Sequence, residues 1–183
     1  MTALAERYHE LALSYLTAAR KLTVLDPSEP WLTPEFLDIP ALNCLALSLE
    51  IGMKGLLVAK GEAPETLKNK YGHKLRCLWE DNNMVDVRSK AEKESIFWNY
   101  PEHWRVTDSK YQLFETHLYW LNDVFSGMGA HKDTLILRYP VGDRTEYFPP
   151  EFMVDASGVI LGIIHDKIQN EAVHTCEQRA VNS

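Results

Sequence analysis

From Thr2 to Leu22 the apolar residues Leu4, Tyr8, Leu11, Ala12, Tyr15, Leu16, Ala19 and Leu22 recur at steps of three and four, which gathers them on one face of an amphipathic helix. Pro27, Pro30, Pro34 and Pro40 then break the pattern, because each removes a backbone donor and restricts the residue before it. Thr33-Pro34-Glu35 reads as a cap with proline at the first helical position, enough for a short turn of helix inside this connection. Pro40 is expected to open a second long helix striped by Leu42, Leu45, Ala46, Leu49, Met53, Leu56 and Leu57, with Gly61 closing it as a left-handed residue. Gly61 to Gly72 is polar and lysine-rich and reads as a loop. Leu75, Leu78 and Trp79 mark a shorter helix stopping near Asn82-Asn83. A charged surface helix is open to Val85–Phe97, followed by a turn at Trp98-Asn99-Tyr100-Pro101.

Tyr111, Phe114, Leu118, Leu121 and Phe125 restore the helical period between Thr107 and Phe125, with Thr107-Asp108 as the expected cap. Beyond Gly127 and Gly129 the period shortens. Thr134–Tyr139, the turn residues Val141-Gly142-Asp143-Arg144 and Thr145–Phe148 predict a β-hairpin. Pro149-Pro150 ends it and starts a last helix with Phe152, Met153, Ala156, Val159, Ile160, Ile163 and Ile168 on its apolar side. Gly158 and Gly162, four apart, suggest a close helix approach, and residues 172–183 lose periodicity and read as a frayed tail. The prediction is a mainly all-α, up-and-down bundle of about five helices, with a small hairpin insertion near 134–148, in one domain spanning 1–183.

Composition narrows the class. With 183 residues, 45% hydrophobic and 25% charged, the chain has the make-up of a single globular domain. Cys44, Cys77 and Cys176 are odd in number and lack metal-ligand spacing, so they read as reduced thiols and favour a cytoplasmic location. Nothing at Met1–His9 suggests export, and the run Val159–Ile164 is too short to span a membrane.

A formal net charge of −7 argues against a general grip on nucleic acid. Locally the sign reverses. Lys54, Lys60, Lys68, Lys70, Lys74 and Arg76 face only Glu62 and Glu65 in the window 54–76, a local excess of +4 that suits a nucleotide, phosphate or RNA, or else a solvated lysine-rich loop. At its start, Glu50 and Lys54 lie one helical turn apart in the favourable order, either as a surface salt bridge or lining a groove. His73 and Lys74 open a helix, where backbone N–H groups favour an anion, unless His73 merely caps or packs. Arg138 and Tyr139 sit on the expected hairpin, available to a partner or simply surface residues.

Other chemistry finds less support. Glu6–His9 and Glu171–His174 have the Glu-x-x-His spacing of carboxylate–histidine metal centres, but that frequency is what chance gives, and no metal site or cofactor is assigned. Tyr111, Phe114, Tyr119, Trp120 and Phe125 could stack bases, yet most have core spacing. A Gly-rich phosphate loop, nucleophile elbow, catalytic triad and Cys/His zinc motif are all missing.

Three segments together carry a family likeness. Glu50-Ile-Gly-Met-Lys54 in a long apolar helix, Gly72-His73-Lys74-Leu75 opening the next, and Leu137-Arg138-Tyr139-Pro140 before the last helix resemble, in motif and order, the HEPN superfamily of helical-bundle proteins. The resemblance implies an up-and-down bundle, a homodimer, and association with RNA, nucleotides or a nucleotidyltransferase-type protein partner, often in toxin–antitoxin or phage-defence settings. It departs in one respect. Ribonuclease members carry an Arg, four to six residues and then a His late in the domain, and none of His9, His73, His103, His117, His131, His165 and His174 has an Arg at that distance before it. The expectation is a non-catalytic HEPN-like protein using Glu50, Lys54, His73, Lys74 and Arg138 for binding, without a membrane association. The alternatives are a metal-dependent or non-standard ribonuclease or hydrolase, and a structural, antitoxin-type subunit.

Overall fold

The computed structural model describes residues 2–24, 34–99, 109–126 and 150–181. Seven α-helices occur among them: α1 (Thr2–Leu22), α2 (Pro34–Ala59), α3 (Pro64–Tyr71), α4 (Leu75–Trp79), α5 (Val85–Glu94), α6 (Lys110–Ser126) and α7 (Pro150–Val181). Short 3-10 turns at Asn82–Met84 and Ser95–Phe97 bracket α5. The described residues contain no strand and the fold is all-α. The hairpin expected at 134–148, with Arg138, lies outside the described residues.

α2 is the axis of the bundle. Ala41, Leu42, Leu45, Ala46, Leu49, Met53, Leu56, Leu57 and Val58 are all buried, because α1 and α7 pack along it while α4 and α6 cover a further side. A helix apolar nearly all round is a core helix. Leu37–Ala59 is long and apolar enough to cross a membrane, but 72% of its apolar window is buried within the bundle. The remaining layer is built by α5 against α7.

Several boundaries differ from the sequence reading. α2 starts at Pro34 and runs through Pro40. Pro40 forfeits only one hydrogen bond near the helix start, and its ring faces solvent. The lysine-rich stretch after Gly61 is mostly the helix α3, with Pro64 in its first turn and Leu67 and Tyr71, one turn apart, buried. α6 is capped by Ser109, whose hydroxyl accepts from the Gln112 N–H (3.2 Å) while the Gln112 side chain accepts from the Ser109 N–H (3.0 Å), a capping box later than the expected Thr107-Asp108. α7 continues to Val181 instead of fraying after Glu171, since no proline or glycine interrupts 172–181.

Gly61 behaves as expected. Its φ of 102° accompanies bonds from Gly61 N–H to Val58 O and from Glu62 N–H to Leu57 O, both 3.0 Å, the Schellman arrangement that stops a helix. The tightest helix approaches fall on α2, while a Cβ on Gly158 of α7 would make ordinary contact with α1, 3.4 Å from Arg20 and 3.7 Å from Leu16. A Cβ on Gly55 would lie 2.9 Å from Tyr8 Cβ of α1, and one on Gly52 would run into Leu161 of α7, whereas a Cβ on Gly162 would meet nothing within 4 Å.

Candidate functional site

The Gly72-His73 junction is shaped by a tight turn. Gly72 has φ 53° and ψ −117°, and the Lys74 N–H donates to Tyr71 O at 2.9 Å, which together make a type II′ turn with Gly72 at its first central position. Only glycine takes that conformation without strain. The turn points the Gly72 carbonyl and the His73 ring back toward α2.

There they meet the charged pair of α2. Lys54 Nζ lies 2.6 Å from Glu50 Oε1 and donates to Gly72 O at 2.6 Å. His73 Nδ1 lies 3.0 Å from Glu50 Oε2. A carboxylate can only accept, so Nδ1 carries the proton in this contact. The Glu50 side chain is 5% exposed and that of His73 61% exposed. A buried carboxylate is thus held by an ammonium on one oxygen and orients an exposed imidazole with the other. The ring also meets Phe125 of α6 edge-on, with centroids 5.8 Å apart. His73 Nε2 is left for solvent or a ligand, an acceptor when the ring is neutral and a donor when it is protonated.

Of the residues singled out from sequence, Glu50, Lys54 and His73 converge and Lys74 adjoins them as the half-buried residue before α4. Arg138 is outside the described residues. At the start of α4 one of the backbone donors expected to favour an anion is already occupied. The helix has five residues, and its Arg76 N–H is taken by Asn122 Oδ1 of α6 at 3.1 Å.

The positive window is also partly cancelled in three dimensions. Lys54 is paired with Glu50, Lys70 with Asp81 (3.4 Å) and Arg76 with Glu80 (2.9 Å). Those three carboxylates lie outside residues 54–76 and reduce the local excess from +4 to +1. Arg76 additionally stacks over the Tyr119 ring at 4.6 Å. Among the described residues, Lys68 and Lys74 have no carboxylate within ion-pair distance. Glu80 was visible from its one-turn spacing to Arg76. Asp81 and Asn122 were not, because their contacts depend on how α3, α4 and α6 pack.

A second polar knot supports the turn from below. Tyr71 Oη donates to Asp81 Oδ2 at 2.5 Å, and Asp81 Oδ1 accepts from the Asn83 N–H at 2.9 Å. Burial works against the Asp81 carboxylate, but the bonds from Tyr71, Asn83 and Lys70 outweigh it and hold its pKa below the usual value. Burial, then the bond to Asp81, pushes the Tyr71 phenol up.

No group of three or more His, Cys, Asp or Glu that could hold a metal ion occurs among the described residues. No family model, curated protein or solved structure matches the chain.

Proposed function

We propose that this chain is a non-nuclease, HEPN-like bundle that binds a phosphate-bearing ligand, a nucleotide or RNA, on the surface around His73. One observation carries the reading: His73 is exposed, yet one of its nitrogens is fixed by a buried carboxylate. Orienting an exposed ring in this way lowers the entropy lost when it binds a ligand. Lys74, next to it in the chain, supplies charge that is not already neutralised, while Glu50 and Lys54 act as positioning residues.

The test is binding of ATP and of short single-stranded RNA to the full chain at two salt concentrations. With two or three phosphate contacts, the slope of log affinity against log salt is expected to be roughly −1 to −2. His73→Ala and Lys74→Ala should each weaken binding. Absence of binding by the wild type, or binding indifferent to both substitutions, overturns the proposal.

The same hydrogen bond favours a second reading, in which Glu50 orients His73 as a general base in a hydrolase or ribonuclease with a non-standard site. RNA cleavage in chelator that disappears in His73→Ala would establish this reading. Intact RNA would exclude the ribonuclease.

A further inference from the structure

The apolar stripe of α1 is divided by the fold. Ala5, His9, Ala12, Leu16 and Ala19 are buried, and the small residues among them let α1 close on α2, where Ser48 Oγ donates to Ala12 O at 2.8 Å. The larger apolar side chains are left at the edge. Leu4 is 39% and Leu11 49% exposed, while Tyr8, Tyr15, Ala18 and Leu22 are half-buried.

These six positions are spaced alternately by four and three residues, the strict seam with which one helix packs along another. The helices that α1 packs on, α2 and α7, leave it open. α7 takes the other side of the α1–α2 pair: His165 stacks on His9, Gly158 lies beside Leu16, and Leu161 lies against Gly52 of α2. On α2 the residues turned away from α7 on the open flank are Cys44, Leu47 and Ile51, all half-buried and packed against the core. The seam therefore has an apolar shoulder.

The pattern is complementary to itself. Antiparallel pairing of two copies, centred between Leu11 and Tyr15, sets Leu4 against Leu22, Tyr8 against Ala18 and Leu11 against Tyr15 of the second copy, with each contact made twice as a two-fold axis requires. Tyr8, a large ring, meets a methyl, so the two faces interdigitate. From Leu4 to Leu22 the seam is about 27 Å long, and with α2 beside it about 20 Å wide. That is roughly 540 Å2 of flat area, close to the roughly 600 Å2 that each partner contributes at the lower end of stable interfaces.

We propose that this flank of α1, with the adjoining edge of α2, binds a second copy of the chain in an antiparallel two-fold arrangement. Association covers the seam and its shoulder and joins α1 to α1 across the axis.

Sedimentation velocity of the full-length protein tests this. At about 100 μM the wild type is expected to sediment as a dimer, with a dissociation constant of about 1–10 μM. Leu11→Glu, at an exposed position in the middle of the seam, puts two carboxylates into the interface and should weaken that constant by about a hundredfold, with the circular dichroism of the folded chain retained. Leu13→Glu, also exposed but on the opposite side of the helix, should leave it unchanged. Adding Tyr15→Lys to Leu11→Glu should restore much of the affinity, since each carboxylate then faces an ammonium of the second copy. A monomeric wild type leaves the seam to a different partner and overturns the proposal, as does a dimer equally tight in Leu11→Glu or equally weakened by Leu13→Glu. No recovery in the folded double variant overturns the antiparallel arrangement.

Discussion

Lys54 Nζ reaches the carbonyl oxygen of Gly72, eighteen residues further along the chain, at 2.6 Å. With its other contact, to Glu50, this makes the ammonium a clasp between α2 and the turn that carries His73. Removing it leaves a buried carboxylate with only the exposed His73 ring as a partner. Lys54→Met is expected to lower stability by about 2–4 kcal/mol, and Glu50→Gln added to it should recover much of the loss, since no unpaired buried charge then remains. Urea denaturation of the two single variants and the double variant gives the coupling between them.

Gly72→Ala tests the turn rather than the charges. A Cβ there has room, its nearest neighbour being Lys68 O at 3.9 Å, so the cost is conformational, about 1–3 kcal/mol for a side chain held at this φ and ψ. His73→Ala, at an exposed position, should change stability by less than about 1 kcal/mol. Chemical denaturation of the pair separates the scaffold from the group it displays.

The two glycine classes should behave oppositely. Gly52→Ala forces a methyl into Leu161, itself fully buried, and is expected to destabilise by about 1–3 kcal/mol. Gly162→Ala, with open space around it in the interior of α7, should stabilise by about 0.5–1 kcal/mol. Melting temperatures of the two variants read the sign.

Acid should weaken the fold through its buried histidines. Burial brings His117 down to about 4. Burial, reinforced by His165, lowers His9, whose ring stacks on that of His165 with centroids 4.6 Å apart and whose Nδ1 is buried without a partner. Both groups bind a proton more readily in the unfolded chain, so stability is full above about pH 6.5 and falls as pH drops toward 4. His117 alone accounts for roughly 3 kcal/mol over that interval. Denaturation midpoints at pH 7.5 and 4.5 check the trend, and His117→Phe should flatten it.

The helical elements and the Glu50–Lys54 pair were legible because both are written in local spacing, whereas the approach of His73 to Glu50, 23 residues away, was suggested only by the family resemblance. Leu42 to Leu57 repeats at helical steps, and Glu50 and Lys54 are one turn apart. α3 was missed because only Leu67 and Tyr71 in it are buried while its lysines imitate a solvated loop. The positive window is smaller in space than in sequence for a different reason: formal charge counts neighbours in sequence, and Asp81, packed against Lys70 and Tyr71, offsets one of its charges through space. Helix–helix clearance is similarly invisible in sequence, so Gly52 and Gly55, where a Cβ would meet its neighbours most tightly, went unmarked while Gly158 and Gly162 were singled out.

The edge contacts of Phe125 with His73 and of Phe114 with Trp98 make α6 a shared wall of two otherwise separate parts of the bundle. An occupant at one end that slides this helix along its axis changes the other end, and thermodynamic linkage makes the effect reciprocal in size. Amide hydrogen exchange along α6, compared between His73→Ala and Trp98→Phe, would then report how stiffly a single helix joins them.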